Sequence, residues 1–462
     1  MTFENHSSLN LLISILPISI NQLPNRIKIL HLIKSLGRGG AEKLIPETAL
    51  VHDQTRFEFH CLYFYHQRNN IVDELEAAGI QVHLIPSGNL GLFFQVNKVR
   101  SFAKQLGIDI IHAHLPWAGI MARSVGNKLK IPIVYTEHNT WERYNTISYW
   151  GNRMTFKKQD IAIAVSNEVA LSMQLNSMID PYQRGGRMKI KVIQNGVNTD
   201  VFRRLPSLRL SAVAGGGQKA DEAISSVHST IDKLNITLDE RSEAISSLDS
   251  SLRLSATADK CLKSDAGSPN FKFQILNLQI PPNAHVIGIV AVFRDQKRLW
   301  IWIDLALKIL QKSPETHFVL VGDGEWRSRL ERQIEESGKS AHFHLVGVQK
   351  QVIPYLSIMD IYLSTSEFEG LPIAMLEAMS CEVPVVATRA GGIGEVIQHG
   401  VQGFLSEIDE YGELVDYCVQ LINDQDLHQS MSLAARERVV SQFSMKRMVE
   451  ELEGVYESVI AK

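Results

Sequence analysis

Long apolar runs are scarce in this 462-residue chain. The N-terminal run, residues 11–20 (LLISILPISI), is ten residues long and is broken by Pro17. A membrane-spanning helix needs roughly 20 apolar residues, so this run is too short to span. A secretory leader carries positive charge ahead of its apolar run, and here Glu4 and His6 stand instead. Residues 1–25 are therefore expected to form a non-catalytic extension, with a peripheral touch on a membrane as its other use. Cysteine is also scarce. Cys61, Cys261, Cys381 and Cys418 are far apart, with no CxxC or Cys/His cluster, which argues against a structural zinc site and suits reduced thiols in the cytoplasm. Charge of one sign is lacking as well. The net charge of −3 offers no global field for nucleic acid or an acidic membrane. What remains, 45% apolar and 21% charged residues, is the composition of a globular protein long enough for two domains plus extras.

Residues 27–33 (IKILHLI) form a short apolar run with β-branched members, as a buried parallel strand requires. The glycines of 37–40 (GRGG) follow, and 41–50 reads as a helix start. Strand, glycine turn and helix open a doubly wound α/β domain. The alternation continues with strands at 57–65, 81–85, 108–112, 131–136, 161–165 and 190–193, and with helices at 72–78 and 96–106. A second α/β unit begins near Val286, with strands at 286–292, 318–321, 343–346, 361–363 and 384–387. Its helices are expected at 300–310, 327–336, 371–380 and 394–398. From Met445 onward, Met448, Val449, Leu452, Val455 and Tyr456 share one helical face. Between the units, residues 205–275 are rich in Ser, Ala, Asp and Gly. There SLRLSAVA at 207–214 returns as SLRLSATA at 251–258, a duplicated and weakly structured insertion.

The segment 364–386 (STSEFEGLPIAMLEAMSCEVPVV) carries the most chemistry. A strand leads into Ser364, Thr365 and Ser366, and a helix follows Gly370 and Leu371. Gly370 lets a ligand approach the backbone, and Pro372 suits the first helical turn, where a missing N–H costs nothing. The free N–H groups there, with the helix dipole, suit a diphosphate. Glu377 stands eight residues after Glu369, so the two carboxylates serve different parts of one ligand.

EFEGLPIAMLE, read with VPVVATRAGGIGEVI after it, resembles the acidic motif of retaining glycosyltransferase family 4: two glutamates separated by seven residues. That resemblance implies the GT-B fold, two Rossmann-like domains facing each other across a cleft. The chain then divides into an extension (1–25), an acceptor domain (26–204), the insertion at the interdomain linker (205–275), a donor domain (276–440) and a terminal helix (441–462) that packs back towards the first domain. By the same resemblance Glu369 lies by the donor sugar. Phe368, Gly370 and Leu371 belong to the donor site, the latter two offering N–H groups to the phosphates, and Glu377 holds the ribose hydroxyls. IGIVAVFRDQK (287–297) resembles the family's basic loop, where Lys297 and Arg294 would neutralise the leaving diphosphate without a metal. Val292 stands where the family often has arginine. Gly347 and Val348 resemble the loop that edges the nucleobase.

In the first half, GRGGAEK resembles the family's first glycine loop, and Gly39 and Gly40 would admit the donor phosphates or the acceptor. It is not GxGxxG, which argues against a dinucleotide site. DIIHAHLPWAG (109–119) and YTEHNTWERY (135–144) also resemble the family. His112 and His114 are expected to point to opposite sides of their strand, one structural and the other, His114, catalytic at the cleft. Glu137, His138 and Asn139, with His112, would orient the acceptor. Asn195-Gly196-Val197 reads as a turn and hinge, with Asn198 replacing the family's aspartate. The resemblance implies a retaining, metal-independent and cofactor-free transfer from a UDP- or GDP-sugar to a glycan or lipid-linked acceptor in surface polysaccharide assembly. It places the enzyme in the cytoplasm or on the inner face of the membrane, with no nucleic-acid partner. The alternatives are a non-catalytic relative that binds a sugar nucleotide or partner, and an epimerase or phosphorylase on the same architecture.

Overall fold

The computed structural model describes residues 26–67, 70–88, 91–177, 189–205, 278–281 and 283–461. The N-terminal extension and the duplicated segment at 207–258 lie outside the described residues. Strands β1 (Ile27–Leu32), β2 (Phe57–Tyr63), β3 (Gln81–Leu84), β4 (Ile110–His114), β5 (Ile133–Glu137), β6 (Ile161–Ala164) and β7 (Lys189–Val192) form one parallel sheet, in the order β3-β2-β1-β4-β5-β6-β7. Strands β8 (His285–Val290), β9 (Thr316–Val321), β10 (Phe343–Gly347), β11 (Ile361–Ser364), β12 (Val385–Thr388) and β13 (Gly403–Ser406) form a second, in the order β10-β9-β8-β11-β12-β13. Both are parallel throughout. The strands that open the two sheets are mostly buried, Ile29, Leu30, Ile287 and Ile289 being at most 1% exposed. Helices cover both faces of such sheets, which is why their strands read as apolar runs.

The first sheet carries α1 (Gly40–Ala49), α2 (Val72–Ala77), α3 (Val96–Leu106), α4 (Leu115–Leu129), α5 (Thr146–Thr155) and α6 (Asn167–Ser177). The second carries α7 (Leu299–Lys312), α8 (Arg327–Glu336), α9 (Ile353–Ile358), α10 (Ile373–Ser380), α11 (Ile393–Val396), α12 (Leu414–Asn423) and α13 (Gln425–Gln442). In each sheet the strand order reverses once, between β1 and β4 and between β8 and β11. Ligands of open α/β sheets bind beyond the carboxyl ends of the strands at such switch points.

The last helix, α14 (Met445–Ile460), belongs to the other sheet's core. Its Met445, Met448, Val449, Leu452, Val455 and Tyr456 are buried against a cluster that includes Ile29, Phe57 and Phe59. The chain crosses back where Val197 pairs with Ser444. A side chain at Gly196 would sit 2.6 Å from the Ser444 carbonyl oxygen, so the crossing needs glycine.

Several boundaries differ from expectation by one or two residues, among them β4, which runs 110–114 where 108–112 is expected. β2 ends at Tyr63, and Tyr65 makes only a lone bridge to Ser35. Pro372 precedes α10 with ψ 111°, so the helix begins at Ile373, two residues after the expected start. Proline has no N–H to lose there and its φ of −73° is already set.

Candidate active site

The β8 and β11 loops meet at the second switch point. The Glu367 N–H donates to the Gln296 carbonyl at 2.9 Å, and Thr365 Oγ1 donates to the Lys297 and Arg298 carbonyls at 3.0 and 3.1 Å. This brings Lys297 Nζ to within 2.5 Å of Glu369 Oε1, which also accepts from Ser366 Oγ at 2.7 Å. The side chains of Lys297 and Glu369 are 18% and 9% exposed, so the pair is only partly shielded. Arg298, with φ 46°, turns inward and donates to the Thr365 and Ile408 carbonyls at 2.8 and 3.0 Å. No sequence signal singles out Arg298, and Ser366 carries none beyond its place after the strand. They brace the loops that hold Lys297 and Glu369.

The glycines of this loop permit close contacts. A Cβ on Gly370 would strike the His138 carbonyl oxygen, and Cβ atoms on Gly391 and Gly392 would strike the Glu369 and Gly370 carbonyls. Leu371 is buried, and its carbonyl accepts from Asn195 Nδ2 at 3.0 Å. Phe368 lies under the Arg143 guanidinium. No side chain caps the start of α10 among the described residues, so its first N–H groups and dipole face the loop. Gly347 adopts φ 74° at the end of β10, and Val348 beside it is 48% exposed.

Across the cleft, the first turn of α1 faces α10. A Cβ on Gly40 would lie 3.3 Å from Ile373 Cδ1, while Gly39 lies against its own helix's Glu42. Charge is matched across this contact. Burial raises the Glu42 carboxyl's pKa and the positive charge of Arg294 partly offsets it. Burial likewise raises Glu377, which is 3% exposed, with the Lys43 cation opposing. Glu47, one turn beyond Lys43, was not singled out from sequence. Its carboxyl is pushed up to about 8 by burial and by the charge of Glu377. A lone glutamate on a helix otherwise reads as a solvated charge.

The first switch point is filled by imidazoles. His112 and His114 stack on the same side of β4, with ring centroids 4.4 Å apart. The expectation of opposite sides is corrected here: side chains alternate along a strand, so residues two apart share a face. Strand register places His31 of β1 beside His112. His31 Nδ1 lies 3.0 Å from His114 Nε2, and His114 Nδ1 lies 3.4 Å from His138 Nε2, a chain of three rings. Leu115, at φ 68°, turns the chain sharply into α4 just after His114. Burial holds these rings neutral: His31 is lowered to about 3, His138 to about 4, and His112 and His114 well below their usual value. Neutral imidazoles can each donate once and accept once, as such a chain requires. Leu44 and Met448 join the four histidines around a small cavity beneath α1 and α14.

Two residues expected to touch the acceptor are occupied elsewhere. His112 Nδ1 lies 2.8 Å from Tyr456 Oη and Nε2 lies 2.7 Å from Thr136 Oγ1, which leaves no ring nitrogen for a ligand. Glu137 is fully buried and accepts from Tyr135 Oη at 2.5 Å, Trp141 Nε1 at 3.0 Å, Tyr144 Oη and the His138 N–H at 3.1 Å. Burial still lifts its pKa to about 6, against the pull of the tyrosine hydroxyls. It braces the 138–144 loop from within. His138 and Asn139 are partly exposed, and the His138 carbonyl meets Gly370.

Two facing parallel-sheet domains, each with its site at a switch point, define the GT-B fold. The chain matches the family described as Glycosyltransferase Family 4 over residues 38–201 and Glycosyl transferases group 1 over residues 270–438. It belongs to the group 1/family 4 glycosyltransferases, whose members include proteins of polysaccharide and glycan biosynthesis. It is 34% identical over 171 residues to the N-acetyl-alpha-D-glucosaminyl L-malate synthase of Bacillus anthracis, covering 37% of this chain and 45% of that enzyme. It is 40% identical over 119 residues to the Vi polysaccharide biosynthesis protein VipC/TviE of Salmonella typhi, covering 26% of this chain and 21% of that one. The matches thus span less than half the length of either relative. The crystal structure of Anabaena Alr3699/HepE in complex with UDP and glucose superposes with a TM-score of 0.70 at 21% identity. It covers 94% of this chain and all of that one. Among the described residues no helix is long and apolar enough to cross a membrane.

Proposed function

We propose that this protein is a retaining, metal-independent glycosyltransferase that moves a sugar from a UDP- or GDP-sugar to a glycan or lipid-linked acceptor. The observation that carries the reading is the Lys297–Glu369 pair at the second switch point, braced by Ser366 and set beside the uncapped start of α10. Without a ligand, the two charges satisfy each other. A diphosphate is the stronger partner for Lys297. Its arrival frees the Glu369 carboxylate to orient the sugar and favour an oxocarbenium-like state. Glu377 takes the ribose hydroxyls, and the Gly347–Val348 turn edges the base. Arg294 and the α10 N–H groups share the charge that develops on the leaving phosphate, a task otherwise met by a divalent cation. The bond from the anomeric carbon to the phosphate oxygen breaks while the acceptor oxygen bonds on the same face. The acceptor proton passes to the departing phosphate oxygen, so charge and atoms balance. The UDP and glucose held by the HepE structure favour a UDP-sugar.

The test is a thermal-shift screen of UDP- and GDP-sugars, with Lys297→Ala and Glu377→Ala beside the wild type. One donor should raise the wild-type Tm and neither variant's. Incubation with acceptor then yields a glycoside whose anomeric configuration matches the donor. An inverted product refutes the retaining step, and a Tm shift without turnover on any glycan or lipid-linked acceptor favours a sugar-nucleotide-binding protein.

A further inference from the structure

α5 and α6 carry bulky apolar side chains on the outside of the first domain. On α5, Ile147, Trp150 and Met154 are 68%, 51% and 79% exposed, and their spacing sets them on one stripe. The other side of α5 is packed. Ser148 and Asn152 are buried, and a Cβ on Gly151 would lie 2.8 Å from Ile120 Cδ1. On α6, Leu171 and Leu175 are 53% and 71% exposed, one turn apart. Tyr149 Oη donates to Asn176 Oδ1 at 2.9 Å, which joins the two helices. Five of the fourteen exposed large hydrophobic residues among the described residues therefore sit on this one helix pair.

The α4–α5 edge of this face is basic, while Glu142 and, at the start of α6, Glu168 stand exposed, Glu142 accepting from Asn176 Nδ2 at 2.7 Å. Residues 115–136 and 143–159 contain no aspartate or glutamate. Lys128 and Lys130 at the end of α4, and Lys157 and Lys158 after α5, are exposed. Asn127 holds the two groups together, its side-chain amide donating to the Arg123 and Lys158 carbonyls at 2.7 Å each. The Arg153 guanidinium lies 5.3 Å from the Trp150 ring centroid. α5 also starts beside the cleft: its cap, Asn145, is two residues from Arg143, which covers Phe368.

A solvated face seldom gathers this much bulky apolar surface, whereas apolar side chains rimmed by lysine suit the headgroup boundary of a bilayer. Lysines near an anionic surface add favourable charge contacts, which commits the occupant to an acidic lipid surface. We propose that the α5–α6 face docks on an anionic phospholipid bilayer, with Ile147, Trp150, Met154, Leu171 and Leu175 in the headgroup layer and the lysines against lipid phosphates. This deepens the transferase reading at its acceptor side, because docking brings the cleft mouth to the surface that would present a lipid-linked acceptor.

The full chain is mixed with vesicles of phosphatidylcholine plus phosphatidylglycerol, and with vesicles of phosphatidylcholine alone, without any sugar donor. Co-sedimentation and the blue shift of tryptophan emission are read. The protein should bind the mixed vesicles, bind phosphatidylcholine less, and release as salt rises. The Ile147→Ser/Trp150→Ser/Met154→Ser variant should bind at least about tenfold more weakly. Lys157→Glu/Lys158→Glu should lose about tenfold on the mixed vesicles and little on phosphatidylcholine. If the triple variant unfolds, Met154→Ser alone should still weaken binding about threefold. Wild type left in the supernatant, or patch variants that bind like wild type, would overturn the proposal. So would a dimer in sedimentation velocity that Trp150→Ser dissociates without any vesicle binding, which would assign the face to a second copy. Since no donor is present, failure here leaves the transferase reading standing, and failure of donor binding leaves this one standing.

Discussion

The two switch points share a topology and differ in what fills them. Beyond β1 and β4 lie three buried imidazoles and a fourth, His138, at their edge, all held neutral and bonded mostly to one another and to neighbouring hydroxyls. Beyond β8 and β11 lies a partly exposed ion pair on two glycine-eased loops. In the first, ring meets ring and hydroxyl. In the second, on the reading proposed above, the charges are ones a diphosphate would separate. The same scaffold thus sets a cluster of neutral rings on one side of the cleft and an ion pair on the other.

Breaking the ion-pair side should have the largest effect. Glu369→Gln keeps the shape and removes the charge, and we expect kcat to fall about 10²–10³-fold with the Tm little changed. A loss confined to KM would refute the assignment. Gly370→Ala should come next. Its methyl would strike the backbone oxygen of His138, which cannot rotate away, so the domains cannot meet as they do here. A fall of about tenfold to a hundredfold in kcat/KM is expected. Gly454→Ala, with open space around the added methyl, should leave activity untouched.

The contact between the two sides sharpens the comparison through pH. The Glu47 carboxyl has an ordinary value near 4.5 and is pushed up to about 8 in the folded chain. The folded state therefore holds a proton that the unfolded chain has released over that range. This contribution is fully present below about pH 4.5 and is lost as pH rises towards about 8. Glu47→Gln removes the dependence. Its Tm should exceed that of the wild type by a few degrees at the alkaline end and converge with it at the acid end. A constant difference would show that Glu47 does not hold the proton. The smallest effect is expected on the cluster of rings: Tyr456→Phe removes the hydroxyl beside His112 and should cost about 1 kcal/mol of stability, measured by denaturant unfolding.

Much of this architecture is legible in the residues, because parallel strands buried on both faces announce themselves as apolar runs. IKILHLI and VIGIVAV give β1 and β8 nearly to the residue. The EFEGLPIAMLE segment marks the loop at the second switch point because its glycine, its proline, Glu369 and Glu377 all lie within one turn and helix. The first domain's site was harder to read, because its contacts are remote in sequence. His31 looks like an ordinary core histidine until strand register sets it beside His112. Glu137 reads as a cleft acid until Tyr135, Trp141 and Tyr144 close around it. Even the relation between His112 and His114 was within reach, since the two-residue period of a strand puts them on one face.

The position of α14 has a consequence for how the protein is made. The second sheet and its helices occupy a continuous stretch, 285–442, and can close as soon as that stretch leaves the ribosome. The first sheet is synthesised earlier, yet Phe57, Ile29 and His112 wait for Tyr456 and its neighbours. The half that emerges first is therefore the half that finishes last, and until α14 arrives the apolar face it covers stays open, the kind of surface on which partly folded chains aggregate.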